Sequence, residues 1–337
     1  MPLKQFIETM LPEIEKELQS QVDRLKQNNS HPFHEMLTYH MGWTGEGAGP
    51  EAAGKRIRPL MVLLAAASCG VDWRIALPAA AAVELVHNFS LVHDDVQDNS
   101  DKRRGRPTVW TKWGVPMAIN VGDALFVIAN QSILDLGKAL PASTVVRATA
   151  ILNDTCLELT RGQFMDMSYE QHSDLKIEDY WPMIGGKTSA LLSACTHIGA
   201  LVGGADEAGQ ENYRSFGYRL GLAFQVQDDV LGIWGDESVT GKSAASDLVE
   251  GKNSLPVLFA LEKNGAFAKR WRQGPIRVEE VKEVAALLES EGAKTYAVEM
   301  SQQETEKALG FLEGANPQGE AGEALLELAN MLLKRKQ

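Results

Sequence analysis

Residues 76–92 (ALPAAAAVELVHNFSLV) and 189–202 (SALLSACTHIGALV) are apolar on nearly every side when wound at helical spacing. Such helices have no face to give to water, so other helices must enclose them in a large bundle. The rest of the chain supplies those helices. Apolar residues recur at helical spacing over 6–25, 59–69, 76–98, 117–136, 143–169, 187–202, 210–234, 255–263, 278–291, 293–313 and from 319 to the end. Breaks fall at 42–54, 104–116, around 137–141 and at 235–253. Strand signals are nearly absent, with no Asn-Gly turn between alternating runs. No repeat of 20–50 residues is evident, which argues against a solenoid. The expectation is an all-α protein, a single large bundle of ten or more helices.

The 337 residues allow one large domain or two of average size, and no stretch reads as a linker, so one domain over 1–337 is expected. The formal net charge of −12 argues against nucleic acid as the main partner. A local basic patch can still hold a small anion. Cys69, Cys156 and Cys195 are far apart and form no zinc-like spacing, which fits a reducing compartment and buried thiols. The first residues carry acids early and no long apolar core, so no signal peptide is expected. The longest apolar run, 60–69, is short of the roughly 20 residues that a membrane span needs. A soluble, cytoplasmic protein with no membrane span is the expectation.

The chemistry concentrates at HDDVQDNSDKRRGRPT, residues 93–108. Asp94 and Asp98 are four apart, so a helix puts both on one face. Asp95 lies about 100° away, and His87, seven before Asp94, returns to nearly the same face. His93 points elsewhere. Two carboxylates four apart repel, unless a hard divalent cation such as Mg²⁺ lies between them with water and phosphate oxygens. The plain alternative is a solvated acidic helix end. Against it, the acidic turn closes an unusually apolar helix, and Arg103 and Arg104 follow in a loop shaped by Gly105 and Pro107.

A second apolar helix, GYRLGLAFQVQDDVLGIW (217–234), also delivers a DD pair, Asp228 and Asp229, with Gln225 three before Asp228. Position 232 is glycine, so no carboxylate stands one turn beyond Asp228; Asp236 follows the helix. Basic residues complement the two clusters. In AGKRIRP (53–59), Lys55 and Arg58 are three apart at a helix start, a natural anion site. Lys187-Thr188 opens another apolar helix, and Lys242 and Lys252 lie in the polar loop before Pro256. Singly each lysine reads as a solvated side chain. Together with the acids they suggest two anion subsites, one bridged by metal and one held by cations alone.

The ordered set AGKRIRP, ELVHNFSLVHDDVQD, RRGRPT, GKTS, FQVQDD and GK…SDLVEGKNSLP, spanning about 50–260, resembles the trans-isoprenyl diphosphate synthases, of geranylgeranyl or farnesyl type. The resemblance implies a helical bundle around a deep central cavity of the isoprenoid synthase type. It implies Mg²⁺, three ions per site with Mn²⁺ as a substitute, and a homodimer. Isopentenyl diphosphate would be joined to an allylic diphosphate (dimethylallyl, geranyl or farnesyl). It implies Asp94, Asp98 and Asp228 as metal ligands. Arg103, Lys187, Lys242 and Lys252 would contact the allylic diphosphate. Lys55, Arg58, His87 and Arg104 would hold isopentenyl diphosphate. Lys187, Thr188 and Gln225 would line the reacting centre, and Gln163 and Asp166 match a segment near the metals.

Family members set product length with the residues four and five before the first Asp, here Ser90 and Phe89, and the insertion of some short-chain members is missing. One small and one aromatic residue resemble geranylgeranyl-forming members. By projection Ser90 lies within about 40° of Asp94 and Phe89 about 140° away, so Phe89 is also a candidate to face a neighbouring helix. Phe126, on the next long helix, is another candidate floor. Two rivals stand beside this reading. A class I terpene cyclase would need a second motif of type (N/D)Dxx(S/T)xxxE, which neither Asn153-Asp154 nor Asp228-Asp229 completes. A catalytically weak partner subunit would fit the glycine at 232.

Overall fold

The computed structural model describes residues 2–26, 31–169, 172, 174–235 and 246–333. Lys242 and Asp236 lie outside these residues. Among the described residues the chain is helical almost throughout, and the all-α expectation holds. The long helices fall where the periodicity puts them: Pro2–Val22, Ile57–Ala67, Leu77–Gln97, Val115–Leu134, Ala142–Tyr169, Ala190–Val202, Glu207–Trp234, Leu255–Lys263, Val281–Ser290, Ala293–Gly314 and Gly319–Leu333. Proline opens several of them, as at Pro78, Pro116 and Pro256, where its missing N–H costs nothing.

The chain divides into two compact units: Met1–Asp154 with Ala194–Gln210 and Asn316–Leu325, and Thr155–Ser193 with Glu211–Ala315 and Leu326–Gln337. In the first unit, Leu77–Gln97 and Val115–Leu134 pack closely together, with Ile57–Ala67 and Pro2–Val22 also against Leu77–Gln97. Eight residues of Ile57–Ala67, from Pro59 to Ala66, are buried, as its composition demands. Two stretches, Trp73–Gln97 and Val115–Lys138, are long and apolar enough to cross a membrane, longer than the run read from the sequence. Each gives much of its apolar surface to the other. In the second unit, one core joins Tyr180, Leu222, Val226, Val230, Leu255, Leu258 and Ala297. A second core joins Ile233, Leu248, Val257, Phe267 and Leu288.

Two local features were not legible in the periodicity. Lys102–Arg103 and Arg106–Pro107 pair as a two-residue antiparallel hairpin, too short to show alternation. Its turn residues, Arg104 (φ 52°) and Gly105 (φ 75°), are both left-handed, as a tight hairpin turn requires. The helix expected to start at Lys187 instead begins with one π-helical turn, Gly185–Ser189. Such turns occur mostly as single interruptions of α-helices.

Candidate active site

The Leu77–Gln97 helix ends in a Schellman closure. Asn99 is left-handed (φ 51°), Ser100 N–H donates to the Asp95 carbonyl at 2.9 Å, and Asn99 N–H to Val96 at 3.3 Å. This fixes the acidic turn. Asp94 is half-buried and Asp98 exposed, while Asp95 turns inward at 2% exposure. Arg103 donates from Nε to Asp95 Oδ1 at 2.8 Å. Burial pushes the Asp95 carboxyl up to about 6, against the pull of Arg103. The projection from sequence thus separates the two members of this pair: one faces outward and one anchors the loop.

The basic side of this unit is assembled from three segments. Arg58 Nη1 lies 3.2 Å from His87 Nε2. A guanidinium only donates, so His87 Nε2 accepts and its imidazole is neutral. Burial, with Arg58, Arg104 and Arg103 nearby, holds His87 well below the usual histidine range. Arg58 Nε is buried with no hydrogen-bond partner, an open donor that an anion would satisfy. Arg104 donates from Nη1 to the carbonyls of Ala52 (2.8 Å) and Ala53 (2.7 Å). Gly54 makes room for it, because a Cβ there would lie 2.6 Å from the Arg104 Cζ. Lys55 is exposed beside them.

Arg56, between Lys55 and Arg58, has a different task. It is 3% exposed and binds Glu15 at 2.6 Å and Glu84 at 2.8 Å. Nothing in KRIR distinguishes it from Arg58; only distant Glu15 and Glu84 do. His40, also unread in the sequence, lines a narrow recess with Asp95, Arg103 and Arg104. Burial and the neighbouring arginines push His40 down to about 3.

The candidate length residues pack together. The Phe89 ring centroid is 5.3 Å from Phe126 and 5.5 Å from His93, so Phe89 does face a neighbouring helix. Ser90 Oγ donates to the His87 carbonyl at 2.8 Å. His93 lies over Gly122, where a Cβ would stand 2.1 Å from its Nε2. His93 Nε2 donates to the Ile119 carbonyl at 3.2 Å.

In the second unit, Asp228 is half-buried and Asp229 is 6% exposed. Asp229 accepts from Tyr180 Oη (2.7 Å), Gln225 Nε2 (3.0 Å) and Leu255 N–H (3.1 Å). Burial pushes its carboxyl up to about 7 against these donors. Thr188 Oγ1 donates to Gln225 Oε1 at 2.7 Å, so Thr188, Gln225, Asp229 and Tyr180 form one chain. Lys187 pairs with Asp166. Two glycines let the Ala142–Tyr169 helix approach this turn: a Cβ on Gly162 would lie 2.1 Å from Lys187 N, and one on Gly186 2.6 Å from the Glu158 carbonyl. Lys252 binds Asp247 (3.1 Å) and Glu250 (2.8 Å). Burial lowers its affinity for protons, but the two carboxylates outweigh this and hold it above the ordinary lysine range. Cys156 and Cys195, whose thiols burial pushes up to about 12, offer no nucleophile.

Among the described residues no three His, Cys, Asp or Glu side chains gather as a ready metal cage. The carboxylates present still fit a hard cation. Mg²⁺ keeps several waters and takes one or two protein carboxylates plus substrate phosphates, so Asp94 with Asp98, or Asp228, is a sufficient donor set.

Residues 49–288 match the family described as Polyprenyl synthetase. The chain is 44% identical over 266 residues to a geranylgeranyl diphosphate synthase of Mycobacterium tuberculosis, covering 78% of this chain and 71% of that one. It is 41% identical over 237 residues to a (2E,6E)-farnesyl diphosphate synthase of Mycobacterium bovis, covering 70% of this chain and 65% of that one. The structure resembles the crystal structure of a polyprenyl synthetase from Streptomyces coelicolor with a TM-score of 0.88 and 36% identity, over 98% and 99% of the two chains. The chain belongs to the polyprenyl synthetase family and is a trans-prenyltransferase.

Proposed function

We propose that this protein catalyses the Mg²⁺-dependent head-to-tail (1′-4) condensation of isopentenyl diphosphate with an allylic diphosphate. The product we infer is geranylgeranyl diphosphate (C20), with farnesyl diphosphate (C15) or a somewhat longer product as the alternatives. The observation that carries this reading is the donor cradle of Arg58, His87 and Arg104, with the open Arg58 Nε. Its hydrogen bonds run between Arg58 and His87 and from Arg104 to backbone carbonyls, an arrangement that suits a diphosphate needing no metal. A cyclase, with one diphosphate to bind, has no use for it.

Bound Mg²⁺ would neutralise charge on the departing diphosphate, held by Asp94, Asp98 and Asp228. The chain's own residues supply the rest. Arg103, Lys187 and Lys252 are the cations that stabilise the leaving diphosphate while the allylic C–O bond ionises. Lys55, Arg58, His87 and Arg104 hold isopentenyl diphosphate so that its double bond meets the allylic carbon. The neutral His87 presents a hydrogen bond rather than a charge. The Thr188–Gln225 pair lines the reacting carbon, and the proton lost at the end goes to released diphosphate. Phe89 and Phe126 are the proposed floor for the growing chain.

We further propose one synthase domain over 1–337, acting in the cytoplasm as a homodimer. Exposed apolar side chains support the dimer: Val127 and Leu134 on one helix, and Val146, Leu157 and Phe164 on the next.

Incubating the purified protein with Mg²⁺, labelled isopentenyl diphosphate and dimethylallyl, geranyl or farnesyl diphosphate tests the reading. A C20 product is expected, lengthened by Phe89→Ala or Phe126→Ala. No elongation with any primer overturns the activity, and unchanged product length in both variants removes the floor.

A further inference from the structure

The glycine at 232 leaves the second motif one carboxylate short in sequence, but the space is filled. A Cβ built on Gly232 would lie 2.0 Å from Asp247 Oδ2 and 2.5 Å from its Cγ. Packing brings Asp247 there. Leu248 is fully buried in one core with Ile233, so the residues beside them, Asp247 and Gly232, are drawn together. The Ser246–Val249 turn then closes in a Schellman motif. Gly251 is left-handed (φ 72°), its N–H donates to Leu248 at 3.3 Å, and Lys252 N–H donates to the Asp247 carbonyl at 3.0 Å. This closure returns the Lys252 ammonium to the Asp247 carboxylate at 3.1 Å. The Asp247 side chain is 9% exposed and that of Lys252 47%, and Glu250, 52% exposed, binds the same ammonium at 2.8 Å, so a buried anion and an exposed one share a cation that still reaches outward.

We propose that Asp247 is a positioning residue for Lys252 and that Gly232 is the space that admits it. The site has room for one carboxylate, supplied from 247 in place of 232. What Lys252 then holds, an allylic diphosphate, rests on the proposed function. An acid added at 232 displaces Asp247 instead of completing the motif.

Three variants of the full chain test this: Gly232→Ala, Asp247→Asn and the double variant Gly232→Asp/Asp247→Ala. The first readout needs no substrate. Acylation of Lys252, followed by peptide mass spectrometry, reports its free amine. Gly232→Ala is expected to speed it about tenfold, since one pKa unit changes the free amine tenfold, and the double variant to return it toward wild type. An unchanged rate in folded Gly232→Ala overturns the inference. Should that variant not fold by circular dichroism, an unchanged rate in Asp247→Asn does the same. The second readout is calorimetric binding of inorganic pyrophosphate with Mg²⁺. The dissociation constant is expected to rise on the order of tenfold in both single variants and to recover in the double variant. Equal loss in all three overturns the positioning role. A wild-type protein that binds no pyrophosphate, yet shows the acylation change, overturns the proposed function and leaves the Gly232–Asp247 coupling standing.

Discussion

Asp95 and Asp229 are each the second carboxylate of a DD pair, and each is buried. Asp95 is held by the guanidinium of Arg103, whereas Asp229 is held by three neutral donors, Tyr180 Oη, Gln225 Nε2 and Leu255 N–H. Depth and partner act together on the protonation of each. Burial is the leading cause at both: it pushes Asp95, opposed by Arg103, up to about 6, and the more deeply enclosed Asp229, opposed by neutral donors, up to about 7. A full positive charge offsets more of the burial than neutral dipoles do. One half-site therefore ties its acidic turn to a partly exposed cation, and the other to packed core.

The largest effects should come from the outward members of the two pairs. Asp94→Asn and Asp228→Asn are each expected to lower kcat by roughly 10²–10³-fold, with the melting temperature unchanged. Steady-state kinetics beside thermal melts check this. Activity within about tenfold of wild type at either position would remove that residue from the metal side.

The inward members should separate on stability. Asp229→Asn sets an amide N–H₂ among three donors and is expected to cost about 1–3 kcal/mol. Asp95→Asn is expected to cost less, because the Arg103 side chain, 30% exposed, can turn to water. Urea unfolding in metal-free buffer measures both. A loss at Asp95 as large as that at Asp229 would break the contrast between the two anchors.

The smallest effect is on pH dependence. Both folded carboxyls titrate above their ordinary value of 3.8, so the folded state binds more protons than the unfolded one between that value and about 6 or 7. Their contribution is fully present below about pH 4 and is lost as pH rises through the folded pKa. Asp229→Asn should therefore flatten the fall in stability up to about pH 7, and Asp95→Asn only that up to about pH 6. Stability–pH curves of both variants that parallel wild type would refute the raised values.

The long helices were legible because each repeats its apolar positions over several turns; the expected span 255–263 matches Leu255–Lys263 residue for residue. His31–His40 and Ile177–Ile184 were not read, being short and, in the second, interrupted by Pro182. Within the site, helical projection separated Asp94 from Asp95 and His87 from His93, since those differences are angular and local. It could not separate Arg56 from Arg58, whose fates depend on Glu15, Glu84 and His87 in other segments. Nor could it pair Gly232 with Asp247, because no short spacing encodes a contact made by a returning turn.

The hairpin that carries Arg103 and Arg104 acts as a ruler. Its register pairs Lys102 with Pro107 and Arg103 with Arg106 across a turn of two residues. Arg103 reaches back to Asp95 and Arg104 reaches the Ala52 and Ala53 carbonyls. One inserted residue would turn the following side chains to the opposite face and pull one arginine off its anchor. The two-residue turn, Arg104-Gly105, therefore has no length to spare, and an insertion or deletion there cannot be absorbed.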